Sequence, residues 1–131
     1  MPRTEDTKKS HTIIPLSWST PQVVAVELRG TISKADHVKH IRNPIAKSVE
    51  EAGWFNLLMI YNDFVGWEPE AADSSFNTII DYGRKAHKLA YINPPDKKRL
   101  QMKLTKALFS GEVRYYEADE VEEARQWILE E

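Results

Sequence analysis

The chain has 131 residues and a formal net charge of -2, and 29% of its residues are charged while 41% are hydrophobic. This size and composition predict one globular domain, and the nearly neutral charge excludes general adhesion to nucleic acid or anionic membranes. The absence of cysteine excludes disulfide bonds and thiolate metal sites, and no apolar run is long enough to span a bilayer. Because residues 1–12 lack the apolar core of a signal peptide, we expect a cytoplasmic protein.

Two strands are predicted after a polar amino terminus. Residues 1–10 are charged and polar, so we expect a flexible tail before a single domain over residues 11–131. Residues 12–18 have the pattern of an edge strand, because Pro15 cannot donate a backbone hydrogen bond to a neighbouring strand. Residues 23–29 are rich in β-branched side chains, and Gly30 is expected to end this second strand.

A helix with an interruption is predicted next. Ser33 followed by Asp36 resembles a helix start, and Gly53 marks the end. Apolar side chains recur at helical spacing between these two points, at Val38, Ile41, Ile45 and Val49. Proline removes a backbone donor, so Asn43-Pro44 predicts a kink or two helical pieces.

The middle of the chain predicts a central strand and a long helix. Residues 54–61 are almost continuously apolar, which is typical of a strand covered on both faces. A turn is expected over residues 64–69. Pro69 then opens a helix that reaches about Lys88, with apolar spacing at Ala72, Phe76, Ile79, Ile80 and Gly83. Residues 89–93 form a short apolar strand before Pro94-Pro95.

The last third predicts two helices around one strand. A helix is expected over residues 96–108, a strand with period-two alternation over residues 112–116, and a final helix capped by Asp119. The inner face of that final helix holds Val121, Ala124, Trp127 and Ile128. The element order β-β-α-β-α-β-α-β-α predicts an α/β fold with a mixed, mainly parallel five-stranded sheet.

Three features of the sequence together resemble one family. They are the Phe64-x-Gly66-Trp67 turn, the Val113-Arg114-Tyr115-Tyr116 strand and the Glu123-Ala124-x-x-Trp127 ending. With the predicted element order, they make residues 13–129 similar to the SpoIIAA-like family of small bacterial proteins. The resemblance implies the fold group of STAS domains, which include anti-sigma-factor antagonists, and of CRAL-TRIO lipid-binding domains.

The chain departs from its relatives at two places. Relatives often carry a tryptophan near the start of the helix predicted over residues 96–108, where this chain has Lys97-Lys98-Arg99. Asp73-Ser74-Ser75 matches the letters of the phosphorylated Asp-Ser-Ser of anti-sigma-factor antagonists. It falls inside a predicted helix, however, where a phosphate gains little from the helix dipole. Phosphorylation of Ser74 or Ser75 is therefore the weaker interpretation, and an exposed helix surface the stronger one.

A ligand pocket is the first candidate site. Open α/β sheets bind ligands at the carboxyl ends of their strands. The residues that would form or border a pocket there, or between the sheet and the neighbouring helices, are Tyr61, Asp63, Gly66, Trp67, Phe76, Ile80 and Tyr91. The structural alternative is that Trp67 covers the edge of the core and that Asp63 binds turn amides.

Metal binding, catalysis and nucleic-acid binding find little support. His37 and His40 are three residues apart on a predicted helix, but no further ligands follow at recognisable spacing, so we expect a solvated face and no metal. The sequence lacks a catalytic motif such as Gly-x-Ser-x-Gly, so we expect no enzyme and no cofactor. The lysine-rich segment over residues 97–106 lacks the interleaved aromatic residues of a nucleic-acid surface.

Two functions therefore stay open. The first is a non-enzymatic STAS-like regulatory or protein-interaction module. Its partner is an unknown protein, or a second copy of the chain in a homodimer. The second is a small apolar-ligand carrier similar to CRAL-TRIO domains. A carrier needs a sizeable apolar cavity, whereas an interaction module needs a packed core and an exposed patch.

Overall fold

A mixed five-stranded sheet forms the centre of the protein. The structure, a computed structural model, describes residues 13–95 and 111–130. Its strands are β1 (Ile13–Pro15), β2 (Val23–Ile32), β3 (Phe55–Trp67), β4 (Ala86–Ile92) and β5 (Glu112–Tyr116). They lie in the order β1-β2-β3-β4-β5. β1 pairs antiparallel at the edge and every other pairing is parallel. The predicted fold class is confirmed.

Helical segments cover both faces of the sheet. They are α1 (Lys34–His37), a π-helical turn (Val38–Arg42), α2 (Asn43–Ala52), α3 (Pro69–Tyr82), a 3-10 turn (Gly83–Lys85) and α4 (Val121–Leu129). The expected tail over residues 1–10 and helix over residues 96–108 lie outside the described residues. Within residues 13–95 and 111–130, no helix is long and apolar enough to cross a membrane. The domain limits 11–131 stay a prediction.

Alternating side chains of the strands build one core on each face. Val24, Val26 and Leu28 of β2 pack with Ile41 and Ile45 of the first helical region. On the opposite face Val23 and Ala25 of β2 pack with Leu58, Ala90 and Ile92, and with Ala124, Trp127 and Ile128 of α4. β3 is buried on both faces along its first residues, as its continuous apolar run predicts.

The predicted interruption of the first helix is a π-helical turn. The Ser33 side chain accepts a hydrogen bond from the Asp36 amide at 3.2 Å, and Gly53 ends α2 at a φ of 85°. Between them, the Asn43 amide donates to the Val38 carbonyl, five residues back. Pro44 has no amide to continue the α-helical pattern, so the chain changes its hydrogen bonding just before it.

Both central strands are longer than predicted. Gly30 takes a φ of 66°, but β2 continues past it to Ile32 through an irregular register. The expected turn over residues 64–69 is wrong for residues 64–67, since β3 runs to Trp67 with Asp63 at a φ of 59°. The reason is pairing: Thr31 lies opposite Gly66 and Ile32 opposite Trp67, so each extension supplies hydrogen bonds to the other.

Two helix ends also differ from the prediction. α3 ends at Tyr82 rather than near Lys88, because β4 already begins at Ala86 and pairs with Phe55. Asp119 does not cap α4; the helix begins after Glu120, whose carboxylate accepts a hydrogen bond from the Glu117 amide at 2.7 Å. Strand β5 has the predicted bounds.

Trp127→Ala should test how firmly α4 is docked. The Trp127 side chain is only 6% exposed, and Arg114 lies 4.4 Å above its ring. We expect the free energy of unfolding to fall by roughly 3 to 5 kcal/mol in chemical denaturation, because the substitution leaves a large cavity. Leu129→Ala on the same helix is the control; it removes a partly exposed side chain and should cost less than about 1 kcal/mol. Equal losses in the two variants would contradict this docking.

Candidate functional site

The side chains that helix α3 buries against the rest of the protein are small. Its buried residues are Ala71, Ser74 and Thr78, which recur at helical spacing. Pro69 stands in its first turn, and just before it the Glu68 amide donates to the Ile32 carbonyl at 2.9 Å. The extended β2 and the start of α3 are therefore connected directly. Small inner residues let a helix approach its neighbour closely.

His37 and Ser74 form a buried polar pair across the contact between α1 and α3. The Nδ1 atom of His37 lies 3.0 Å from Oγ of Ser74. His37 is 1% exposed and Ser74 is 7% exposed. The edge of the His37 ring meets the Trp67 ring with centroids 5.6 Å apart. The buried hydroxyl, imidazole and indole therefore lie at one point, where α1, α3 and the end of β3 meet.

The environment of His37 keeps its ring neutral. Burial lowers the pKa of His37 from 6.5 to about 4, and the positive charge of Arg42 acts in the same direction. A neutral imidazole carries one donor and one acceptor nitrogen, so the pair with Ser74 is satisfied without an ion. Protonation would place a charge on a ring that is almost fully removed from water.

Arg42 makes the second polar connection between the two helical regions. Its Nη1 donates to Thr78 Oγ1 at 3.2 Å, and its Nη2 lies 2.7 Å from Asp81 Oδ2. Thr78 Oγ1 in turn donates to the Ser74 carbonyl at 2.7 Å. Arg42 is the last residue of the π-helical turn, a type of segment that is rare and often found at functional sites.

A small cavity lies beneath this contact. Its volume is about 40 Å³, and its walls include Ile45, Leu57 and Ile79 together with His37 and Trp67. A space of this size holds a few water molecules. Pockets for drug-sized ligands are larger, roughly 300 Å³ or more.

A polar groove lies on the outer side of the same contact. It has a volume of about 500 Å³ and includes Lys34, Arg42, Glu70, Asp73 and Asp81 in its walls. Both signs of charge are present, and Arg42 and Asp81 already pair with each other. The groove therefore does not select an anion or a cation.

The residues predicted for a ligand pocket are only partly brought together. Trp67 and Tyr91 line the small cavity. The Tyr61 ring packs against Phe64 at 5.1 Å and Tyr91 at 6.4 Å between centroids, which makes it part of the core. Asp63 is exposed, and a side chain added at Gly66 would meet nothing within 4 Å. Ligand binding at these residues stays a prediction.

The expected positions of Phe76 and Ile80 at the border of the pocket are corrected by the structure. Phe76 is 49% exposed and Ile80 is 54% exposed, and neither lines the cavity. The inner face of α3 is formed instead by Ala71, Ser74 and Thr78, with Ile79 at the cavity. Phe76 and Ile80 therefore face outward, whereas Ile79 of the same pattern lines the cavity.

The predicted solvent exposure of Ser74 and His37 is also wrong. Ser74 was expected on an exposed surface and is buried, while Ser75 is half-buried at the cavity. The motif does lie inside a helix, as predicted, and phosphorylation at either serine stays a prediction. His37 was expected on a solvated face and is buried, whereas His40 is half-buried. In the described part of the chain, no group of three metal-ligating side chains occurs.

Sequence reasoning missed His37, Arg42 and Thr78 as members of this site. A signal for His37 was present, because His37, Ile41 and Ile45 are spaced by four and lie on one helix face. Arg42 and Thr78 carry no comparable pattern. Their meeting depends on the π-helical turn and on which face of α3 is buried, and both are set by packing.

Comparison with known proteins identifies the family. The sequence model of the SpoIIAA-like family matches residues 23–129, a span that contains the whole α1–α3 contact. The chain belongs to the SpoIIAA-like family. Its fold is similar to that of an uncharacterized protein of the DUF3478 family with a SpoIIAA-like fold from Shewanella loihica PV-4. The TM-score is 0.65 at 17% identity, over 90% of this chain and 94% of the other. No curated protein shows significant similarity.

The buried His37 should make this SpoIIAA-like protein less stable in acid. His37 has a pKa of 6.5 in the unfolded chain and of about 4 in the folded chain. Its contribution to the free energy of unfolding is therefore fully present above pH 6.5 and is lost as the pH falls from 6.5 to about 4. Between about pH 7 and pH 4.5 the loss from this group is roughly 2 to 3 kcal/mol. Urea denaturation of the natural chain and of His37→Gln at both pH values measures the difference. Parallel pH profiles for the two proteins would contradict the burial of His37.

Proposed function

We propose that this SpoIIAA-like chain is a non-enzymatic STAS-like module that acts through protein contacts made by the outer face of α3. We define that face by its exposed residues Ala72, Asp73, Phe76 and Ile80. The observation that carries the proposal is the placement of Phe76 and Ile80, two large apolar side chains about half-exposed on one helix. Single exposed apolar residues are ordinary, but neighbours one helical turn apart form a patch that a protein partner can cover.

The character of the Ser74–His37 pair supports a non-enzymatic role. A nucleophilic serine must reach substrate, and its histidine must be basic enough to take a proton. Ser74 is 7% exposed, and the charged group that affects the pKa of His37 is Arg42, which lowers it further. A carboxylate in that position would raise it. The pair is therefore suited to joining two helices.

The small cavity favours the interaction module over an apolar-ligand carrier. A carrier similar to CRAL-TRIO domains has to enclose an acyl chain, and the cavity lined by Trp67 and Tyr91, two residues of the predicted pocket, is about 40 Å³. The aromatic side chains that could line a larger space pack on each other instead. The Tyr91 ring meets the Tyr115 ring at 5.5 Å, and Phe64 meets Trp67 at 5.6 Å. A regulatory role and a cytoplasmic location stay predictions.

Native mass spectrometry and thermal unfolding should separate the two functions. For the purified full chain, we expect a spectrum without a non-covalent adduct that denaturation removes. We also expect no rise in Tm when palmitate or a phosphatidylcholine is added, because a ligand that binds only the folded state must raise Tm.

Two results would change this proposal. A lipid adduct together with a rise in Tm would contradict the interaction module and support the carrier. A covalent mass of one phosphate that peptide fragmentation locates at Ser74 or Ser75 would support a switch at this contact, because the buried Ser74 must leave its site to be modified.

A further inference from the structure

We propose that the partner of the α3 outer face is a second copy of this chain, with the two α3 helices packed antiparallel around a two-fold axis. This inference rests on the proposed function and names its partner. Its basis is that Phe76 and Ile80 of the outer face can pair about a two-fold axis, and that exposed charges toward the two ends of α3 are opposite in sign.

The apolar residues suit a two-fold arrangement. Phe76 and Ile80 are four residues apart, so they lie one turn apart on the same side of α3. In an antiparallel pair centred between them, Phe76 of each copy packs against Ile80 of the other. This is the isologous contact of a two-fold dimer, in which one patch pairs with itself. Ala72, one turn before Phe76, is small and exposed and allows the helices to approach.

The charges of α3 select the antiparallel direction. Its amino-terminal half exposes Asp73, and the turn after its carboxyl end exposes Lys85. Asp81 lies near the basic end, but its carboxylate is held by Arg42 at 2.7 Å. Antiparallel packing places the acidic half of each copy beside the basic end of the other. Parallel packing would place like charges together, and it would also align the helix dipoles unfavourably.

The size of the contact predicts a weak dimer. α3 has 14 residues, so it is about 21 Å long. One helix pair of that length buries less than the roughly 1,600 Å² of a standard protein interface. We therefore expect reversible association with a Kd on the order of micromolar.

Sedimentation equilibrium over a concentration series tests the apolar contact. Phe76→Glu and Ile80→Glu should each raise the dimer Kd at least about tenfold, because they place a carboxylate in the centre of the interface. The matched control is Val65→Glu, which makes the same change at an apolar residue that is 74% exposed on β3. It should leave the Kd unchanged. Thermal unfolding of each variant shows whether it is folded.

A charge exchange tests the direction of packing. Asp73→Lys alone and Lys85→Glu alone should each weaken the homodimer, since like charges then face each other. An equimolar mixture of the two variants should recover dimer, because both contacts of the mixed pair again join opposite charges. Surface substitutions of this kind have small effects on folding, so the recovery reports on the interface.

The outcomes separate this inference from the proposed function. A chain that stays monomeric up to about millimolar concentration, or a dimer that resists both glutamate substitutions, overturns the α3 dimer. A mixture that recovers no dimer overturns the antiparallel direction. Each of these results leaves the interaction module standing if no lipid adduct is found. A lipid adduct in a monomeric chain overturns both.

Discussion

The close contact between α1 and α3 is the constraint on which the rest of this site depends. The fully buried residues of α3 are the small ones, Ala71, Ser74 and Thr78, and the helix approaches α1 closely enough for Ser74 Oγ to lie 3.0 Å from His37 Nδ1. A large inner side chain would separate the two helices and leave the buried imidazole without a partner, which costs roughly 1 to 3 kcal/mol. The same geometry turns Phe76 and Ile80 outward. A polar helix contact inside the protein thus produces an apolar patch on its surface.

The polar groups at this contact fix one arrangement of the helices. A helix face of alanine, serine and threonine buries little apolar area, so its packing gains less free energy than a leucine-rich face would. Directional hydrogen bonds supply what packing does not: His37 bonds Ser74, and Arg42 bonds Thr78 and Asp81. They also require correct placement, because a half-satisfied buried network is more costly than an apolar core. The π-helical turn supplies that placement by bringing both His37 and Arg42 to the α3 side.

The sequence predicted those parts of the fold that depend on local pattern and pairing of apolar strands. The bounds of β5, the start at Ser33, the end at Gly53 and the inner face of α4 follow from such rules and agree with the structure. Features that depend on distant partners were not predictable. β3 continues to Trp67 because β2 pairs with it there, and the inner face of α3 is set by its contact with α1, where Ser74 meets His37. The apolar spacing of Phe76 and Ile80 is genuine, but it marks an outer face and not an inner one.

Single cysteines on α3 would show which face of this helix is docked against the protein, since the natural chain contains no cysteine and every thiol signal then has one source. Ser74→Cys and Thr78→Cys keep the size of the buried side chains, while Phe76→Cys and Ile80→Cys place a thiol on the outer face. In dilute native protein, the outer thiols should react with a maleimide at the rate of the unfolded chain, and the inner thiols at least about a hundredfold more slowly, because they react only on opening. Equal rates for Ser74→Cys and Phe76→Cys would show that α3 is not docked through its small face, and would contradict this account.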